Sequence, residues 1–152
     1  MSLEITKFKR TAKGDIHIEY TQIKADVEIG LSLTNPEAPS QSFDEALNKI
    51  VPHFVDLAEM PSEEGANLKI VEITFTRTGE DKTLGWQATA FFKLTKIEGK
   101  RFVKLPKFLC HDGAASTSTN LCSHVVSESV YDFLKECEKY IAGERLQIKA
   151  EV

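Results

Sequence analysis

The sequence lacks several features that would assign it to a well-defined class. Its 152 residues contain three cysteines, an odd number, so a secreted scaffold held by paired disulfides is not expected. Its apolar runs are only a few residues long, whereas a membrane-spanning helix needs roughly 20. The first residues alternate polar with apolar side chains and do not form the apolar centre of a signal peptide. We therefore expect a cytoplasmic protein with reduced thiols and no membrane association.

Signatures of known catalytic sites are also missing. The glycines form neither a phosphate-binding loop nor a Gly-x-Gly-x-x-Gly turn, and neither His-Glu-x-x-His nor Gly-x-Ser-x-Gly occurs. The four histidines are dispersed along the chain. The sequence therefore predicts a protein that is not an enzyme, uses no cofactor and acts by binding.

The composition that is present is that of a folded domain. Apolar residues make up 41% of the chain and charged residues 28%, values typical of a globular protein and not of a disordered one. A chain of this length can close one hydrophobic core. We expect a single α+β domain over residues 1–152.

Alternation of apolar and polar residues predicts strands. Three such segments, at residues 3–6, 16–21 and 26–33, would each place one side on a core and the other in water. The second and third are either separate strands or one long bent strand. Later segments at 68–76, 83–97 and 101–105 complete a predicted antiparallel sheet of five to six strands.

Two stretches with helical periodicity flank the later strands. The first begins with Ser42 and Glu45 as a capping box, continues in phase across Pro52, where a kink is expected, and ends near residue 60. The second starts around Asn120 or Ser123 and runs to Gly143, a typical helix stop. We expect both helices on one face of the sheet, in the order β-β-β-α-β-β-(β)-α.

Charged residues suggest two binding surfaces, although the net charge of −4 argues against a general nucleic-acid binder. The basic strip comprises Lys93, Lys96, Lys100, Arg101, Lys104 and Lys107. It is either the solvated face of an edge hairpin or, with its interleaved phenylalanines, a site for phosphates or single-stranded nucleic acid. The acidic surface comprises Asp44, Glu45, Asp56 and Glu59. It is either a solvated helix face or a docking surface for a basic protein partner.

Cysteines and histidines flank a small polar loop in the last third of the chain. Cys110, His111, Cys122 and His124 are ligand types that zinc accepts, but adjacent Cys110 and His111 seldom reach one ion and no Cys-x-x-Cys is present. We therefore predict no metal site and interpret both cysteines as buried apolar residues. The alternatives are a metal site, a thiol nucleophile, or a small ligand or nucleotide held by the loop 110–124.

Three segments resemble small proteins encoded in tailed-phage genomes: residues 41–47 (QSFDEAL), 52–61 (PHFVDLAEMP) and 140–147 (YIAGERLQ). No activity and no site residue come with that family. The resemblance implies an accessory protein of the host-cell cytoplasm that binds, and thereby inhibits or sequesters, a host or defence component. The alternative is a recombination or replication accessory that contacts nucleic acid through the basic strip. Exposed strand edges would also permit a homodimer.

Overall fold

The computed structural model describes residues 2–11, 13–61, 68–78, 83–93, 100–110 and 122–143. These residues form seven strands and two helices. The strands are β1 (Ser2–Arg10), β2 (Ile16–Lys24), β3 (Val27–Asn35), β4 (Leu68–Thr78), β5 (Thr83–Lys93), β6 (Lys100–Lys104) and β7 (Phe108–Leu109), and the helices are α1 (Gln41–Leu57) and α2 (His124–Ile141). Neither helix in this described part is long and apolar enough to cross a membrane.

All seven strands belong to one antiparallel sheet. Their order is β3-β2-β1-β4-β5-β6, and β7 pairs with β5 beyond the end of β6. The first three strands form a meander, after which α1 carries the chain from the β3 edge back to the centre, where β4 pairs with β1. This confirms the predicted α+β fold with an antiparallel sheet and two helices.

A tight turn separates β2 from β3. Ala25 and Asp26 both have positive φ, 50° and 63°, and Lys24 pairs with Val27 across them. Such a two-residue loop is a type I′ turn, whose twist matches that of a hairpin. The alternative of one long bent strand is therefore wrong.

The apolar residues of β3 do not lie in the core as their alternation suggests. Val27, Ile29 and Leu31 are 57%, 46% and 37% exposed, respectively. They share the sheet face of buried Ile18, which pairs with Leu33 near the other end of the strand. The helices pack over β1 and β4, so the turn end of the β2–β3 hairpin extends past the surface that the helices cover.

Helix α1 begins earlier than the predicted capping box. Ser40 is the N-cap, and its Oγ accepts a hydrogen bond from the N–H of Phe43 at 3.3 Å. Ser42 consequently lies in the first turn, where its hydroxyl donates to Glu136 of α2 at 2.7 Å. The predicted pairing of Ser42 with Glu45 is therefore wrong.

The same helix ends before residue 60. It passes through Pro52 as one element and stops at Leu57. Glu59 adopts a left-handed conformation, with φ of 57°, and the N–H of Met60 bonds back to the carbonyl of Val55 at 3.0 Å. This hydrogen bond completes a Schellman stop, which turns the chain away from the helix axis.

An aromatic cluster joins both helices to the sheet. Phe8 of β1 lies 5.8 Å from Phe43 of α1 and 5.0 Å from Phe133 of α2, and the two helical rings are 5.1 Å apart. Tyr140 of α2 also contacts Phe43, and its hydroxyl donates to the carbonyl of Glu37 at 2.7 Å. All four rings are buried, so both helices lie on the same face of the sheet.

Phe133→Ala is expected to lower the free energy of unfolding by about 3–5 kcal/mol, because it leaves a cavity where three elements meet. Phe102→Ala is the matched control. Phe102 is 68% exposed, so its loss should cost about 1 kcal/mol or less. Urea denaturation followed by circular dichroism measures both. Equal losses for the two variants would contradict this assignment of the core.

Candidate functional site

The face of the sheet opposite the helices presents a pair of phenylalanines. Phe91 of β5 and Phe102 of β6 are register partners, and their rings meet edge to face with centroids 5.7 Å apart. Their neighbour Ala90 belongs to the core that also contains residues of both helices, so alternation places Phe91 and Phe102 on the other side. Phe102 is the most exposed large apolar residue among those described. The pair is accessible from solvent.

These rings form one wall of a cleft of about 680 Å³. The other walls come from distant parts of the sequence, which the pairing of β1 with β4 and of β4 with β5 brings together. The lining residues that matter most are Lys9, Arg10, Lys69, Glu72, Phe91 and Phe102. Apolar rings and cationic groups thus converge on one concave surface, which we call the basic cleft.

One carboxylate lies in the basic cleft, and it is already paired. Glu72 Oε1 lies 3.0 Å from Nζ of Lys7, and this hydrogen bond raises the pKa of Lys7. Arg10 contacts Asp44 of α1 at 3.4 Å. Lys9 and Lys69 therefore leave the cleft with a positive balance, and Lys104 adds to it from β6, where it pairs with Thr89 of the cleft wall.

Two lysines of the predicted basic strip have described side chains. Lys104 is exposed on β6. Lys107 lies over Gly85, where an added methyl group would be 2.5 Å from its Cε. The side chains of Lys93, Lys100 and Arg101, and all of Lys96, lie outside the described residues.

Sequence reasoning missed Lys9 and Lys69, since they belong to β1 and β4, far from the strip. Their outward positions in alternating strands were the one signal that could have pointed to them. A correct strand order would also have been needed to bring them next to β5 and β6.

The predicted acidic surface is not one cluster. Glu45 and Asp56 are exposed and lie about three turns apart on one side of α1. Asp44 instead turns towards Arg10, and Glu59 lies beyond the helix in its left-handed stop. Because α1 covers the face opposite the basic cleft, Glu45 and Asp56 lie on the other side of the sheet from Lys9 and Lys69.

The structure brings Cys110 and Cys122 together at the two ends of the polar loop. The N–H of Cys122 donates to the carbonyl of Leu109 at 2.9 Å, and the N–H of Cys110 donates to that of Leu84 at 2.8 Å. Their side chains hydrogen-bond to each other, and the residues are only 1% and 4% exposed. They are buried, as expected for cysteines that act as apolar core residues, and their side chains also contact each other.

The environment of the two thiols is asymmetric. The hydrogen bond from Cys110 and, to a lesser extent, the side chains of Ser127 and Trp86 lower the pKa of Cys122 to about 6, in spite of burial. The same hydrogen bond, together with burial, raises the pKa of Cys110. A thiolate at neutral pH is therefore favoured on Cys122 and disfavoured on Cys110. Cys137 lies apart from this pair in the core, where burial raises its pKa.

The other candidate ligands do not join this thiol pair within the described residues. His124 is the exposed first residue of α2, and His111 lies outside the described part of the chain. In that described part, no group of three or more histidines, cysteines or carboxylates is arranged to hold a metal ion. Residues 111–121 are likewise not described, so ligand binding by the loop stays a prediction.

Among the described residues, a hydrogen-bonded relay on β2 and β3 comes nearest to an acid–base site. His17 Nδ1 lies 2.6 Å from Thr34 Oγ1, and its Nε2 lies 3.0 Å from Glu19 Oε2. The order hydroxyl, imidazole, carboxylate is that of a hydrolase triad. The Glu19 side chain is 44% exposed, however, whereas such catalysis depends on a water-excluded site with oxyanion donors. We assign the relay to stabilisation of the hairpin.

Comparison of the chain with protein-family models, curated proteins and solved structures finds no match. The resemblance to tailed-phage proteins stays a prediction. Function is therefore inferred from the basic cleft, the β3 edge and the thiol pair.

Proposed function

We propose that this chain is a binding protein that holds single-stranded nucleic acid on the face of its sheet opposite the helices. The observation that carries the proposal is the exposed Phe91–Phe102 pair inside a cleft that also contains Lys9 and Lys69. Aromatic rings stack with unpaired bases, and each stacked base contributes about 1–3 kcal/mol. The lysines would contact the phosphates between those bases.

Single-stranded nucleic acid fits this surface better than a duplex does. The rings can stack only with bases whose faces are free, as in single strands, loops and ends. The net charge of −4 also disfavours a protein that wraps a uniformly charged duplex. A local cationic cleft is compatible with that net charge because Glu45 and Asp56 are on the other side of the sheet.

The triple variant Lys9→Glu, Lys69→Glu, Lys104→Glu is expected to weaken binding of a fluorescent oligothymidylate by about tenfold or more, because each reversal replaces an attraction to phosphate with a repulsion. The slope of log Kd against log salt should fall by about 2, since single strands give about 0.7 per phosphate contact. Fluorescence anisotropy over a salt series measures both.

The matched control is Lys24→Glu, Lys49→Glu, Lys135→Glu, which changes the net charge equally at three exposed residues outside the cleft. It should retain most of the affinity. If the two triple variants bind equally well, or if the unmodified chain does not bind, the proposed function is wrong.

Glu72→Gln is expected to tighten binding of the same oligothymidylate by about two- to fivefold, which corresponds to the free energy of an exposed ion pair. The change removes the carboxylate from the cleft and releases Lys7, now held at 3.0 Å. Glu45→Gln, the same substitution on the surface of α1, should leave the affinity within error. Weaker binding by Glu72→Gln would contradict the assignment of the cleft.

The edge strand β3 supports a second candidate, binding of a protein strand. Among the described residues β3 pairs with β2 alone, has one charge, Glu28, and contains neither lysine nor proline. Edge strands that resist association usually contain several charged residues, lysine above all, or a proline. Val27, Ile29 and Leu31 make its exposed face apolar. These properties favour a partner that extends the sheet.

The partner that this pattern fits is a second copy of the chain. With a two-fold axis at Leu31, antiparallel pairing would place Ile29 opposite Leu33 and Glu28 opposite Thr34. No like charges then oppose each other, and the apolar residues meet on one face.

Leu31→Lys is therefore expected to convert a dimer into a monomer, because it places two ammonium groups opposite each other at the axis. Light scattering coupled to size exclusion at several concentrations measures the change. Lys49→Glu on α1 is a surface control that should remain dimeric. A monomeric mass for the unmodified chain at every concentration would exclude this pairing.

A further inference from the structure

We propose that Cys110 and Cys122 form a redox site in which a hydroperoxide oxidises Cys122 and Cys110 then forms a disulfide with it. This inference concerns the opposite end of β5 from the Phe91–Phe102 pair. It does not depend on the proposed nucleic-acid function.

Backbone contacts hold the two thiols in place. Leu109 lies next to Cys110 and accepts the N–H of Cys122 at 2.9 Å, while Leu84 of β5 accepts the N–H of Cys110. Cys122 immediately precedes Ser123, the N-cap of α2. One cysteine is thus fixed to the sheet and the other to the start of a helix, with their side chains in contact. A disulfide there would join two anchored segments.

The indole of Trp86 also lies at this site. Its Nε1–H is fully buried and has no hydrogen-bond partner among the described residues. The ring lies beside Cys122 and helps to lower its pKa. A buried N–H without an acceptor is costly, and a thiolate on Cys122 would supply the acceptor.

Ser127 completes the surroundings of Cys122. Its Oγ lies 3.3 Å from the sulfur of Cys122 and 2.9 Å from the carbonyl of Ser123. The hydroxyl therefore has two acceptors within reach. The lowered pKa of Cys122 agrees with these contacts, and so does its place at the amino-terminal end of a helix, where the positive end of the dipole favours a thiolate.

The reaction balances with one equivalent of hydrogen peroxide. The Cys122 thiolate attacks one peroxide oxygen, the O–O bond breaks, and the leaving hydroxide takes up a proton to become water. The resulting sulfenic acid is attacked at sulfur by Cys110, which loses its proton; the S–O bond breaks, a second water leaves and the S–S bond forms. Two thiols lose two hydrogens in all, and the peroxide is reduced to two waters.

Burial selects the class of oxidant. The two cysteines are 1% and 4% exposed, so a bulky disulfide has no direct approach to either sulfur, whereas a small uncharged hydroperoxide needs little opening. Thiolate nucleophiles react with such oxidants, and neutral thiols hardly do. Cys122 is therefore the attacking residue and Cys110 the resolving one.

The test treats the full chain with hydrogen peroxide and measures intact mass together with tryptophan fluorescence. We expect a loss of two hydrogens and a disulfide-linked peptide pair that contains Cys110 and Cys122. Trp86 is the only tryptophan, so quenching by the new disulfide should report the reaction, and dithiothreitol should reverse it. The rate should fall as the pH drops below the pKa of Cys122, about 6.

Single variants separate the two roles. Cys110→Ser should stop at a Cys122 sulfenic acid that dimedone traps, and Cys122→Ser should give no sulfenic acid at Cys110. Cys137→Ser, a control within the core, should behave like the unmodified chain, and Cys122 should react at least about tenfold faster than Cys137. Far-UV circular dichroism confirms that each variant is folded.

Sulfenic acid on Cys110 in the Cys122→Ser variant would overturn the assignment of roles. Absence of a Cys110–Cys122 disulfide in the oxidised, unmodified chain would overturn the proposal as a whole. That second result is read on the unmodified chain, so it holds even if a variant fails to fold.

Discussion

The contact of Phe8 with Phe43 and Phe133 is the constraint on which the rest of the structure depends. These three rings belong to β1, α1 and α2 and lie within 5.0–5.8 Å of one another. Side chains alternate between the two faces of a strand, so each residue contributes to only one face. Once both helices are held on the Phe8 side, the opposite face of the sheet is left to polar and aromatic side chains. The basic cleft follows from that division.

The same division separates the charges of the molecule. Helix α1 presents Glu45 and Asp56 on its exposed side, and the face of the sheet opposite the helices presents Lys9 and Lys69. A net charge of −4 is thus compatible with a local cationic surface, because the sheet lies between the two signs. The thiol pair depends on the same packing, since the position of Cys122 is set by the start of α2, and Phe133 anchors that helix to β1.

Local periodicity predicted the fold well and the site only in part. Alternation and helical spacing predicted six of the seven described strands and both helices, because these patterns depend on neighbours a few residues apart, whereas the two-residue strand β7 shows no such pattern. The start of α1 was missed because Ser40 and Ser42 are both capable caps, and contacts with α2 decide between them. The exposure of Ile29 could not be predicted either, since it depends on how far the helices extend over the sheet.

Long-range pairing accounts for what the sequence did not predict about the site. Lys9 reaches the cleft because β1 pairs with β4, and no local pattern specifies that neighbour. Cys110 and Cys122 were noticed for their ligand chemistry, but their hydrogen bond and the nearby indole of Trp86 arise from the junction of β5, β7 and α2. Such junctions bring together residues that are far apart in the sequence and that no local pattern connects.

The central claim is that one face of the sheet holds the helices and the other holds the ligand, and amide chemical-shift mapping tests it most directly. A ¹⁵N-labelled chain would be titrated with a short oligothymidylate and followed by two-dimensional NMR. We predict that the largest shifts fall on residues of the basic cleft, such as Lys9, Lys69, Phe91 and Phe102, while the exposed amides of α1 and α2 remain unchanged. Shifts confined to the helices, or no shifts at saturating ligand, would contradict the claim.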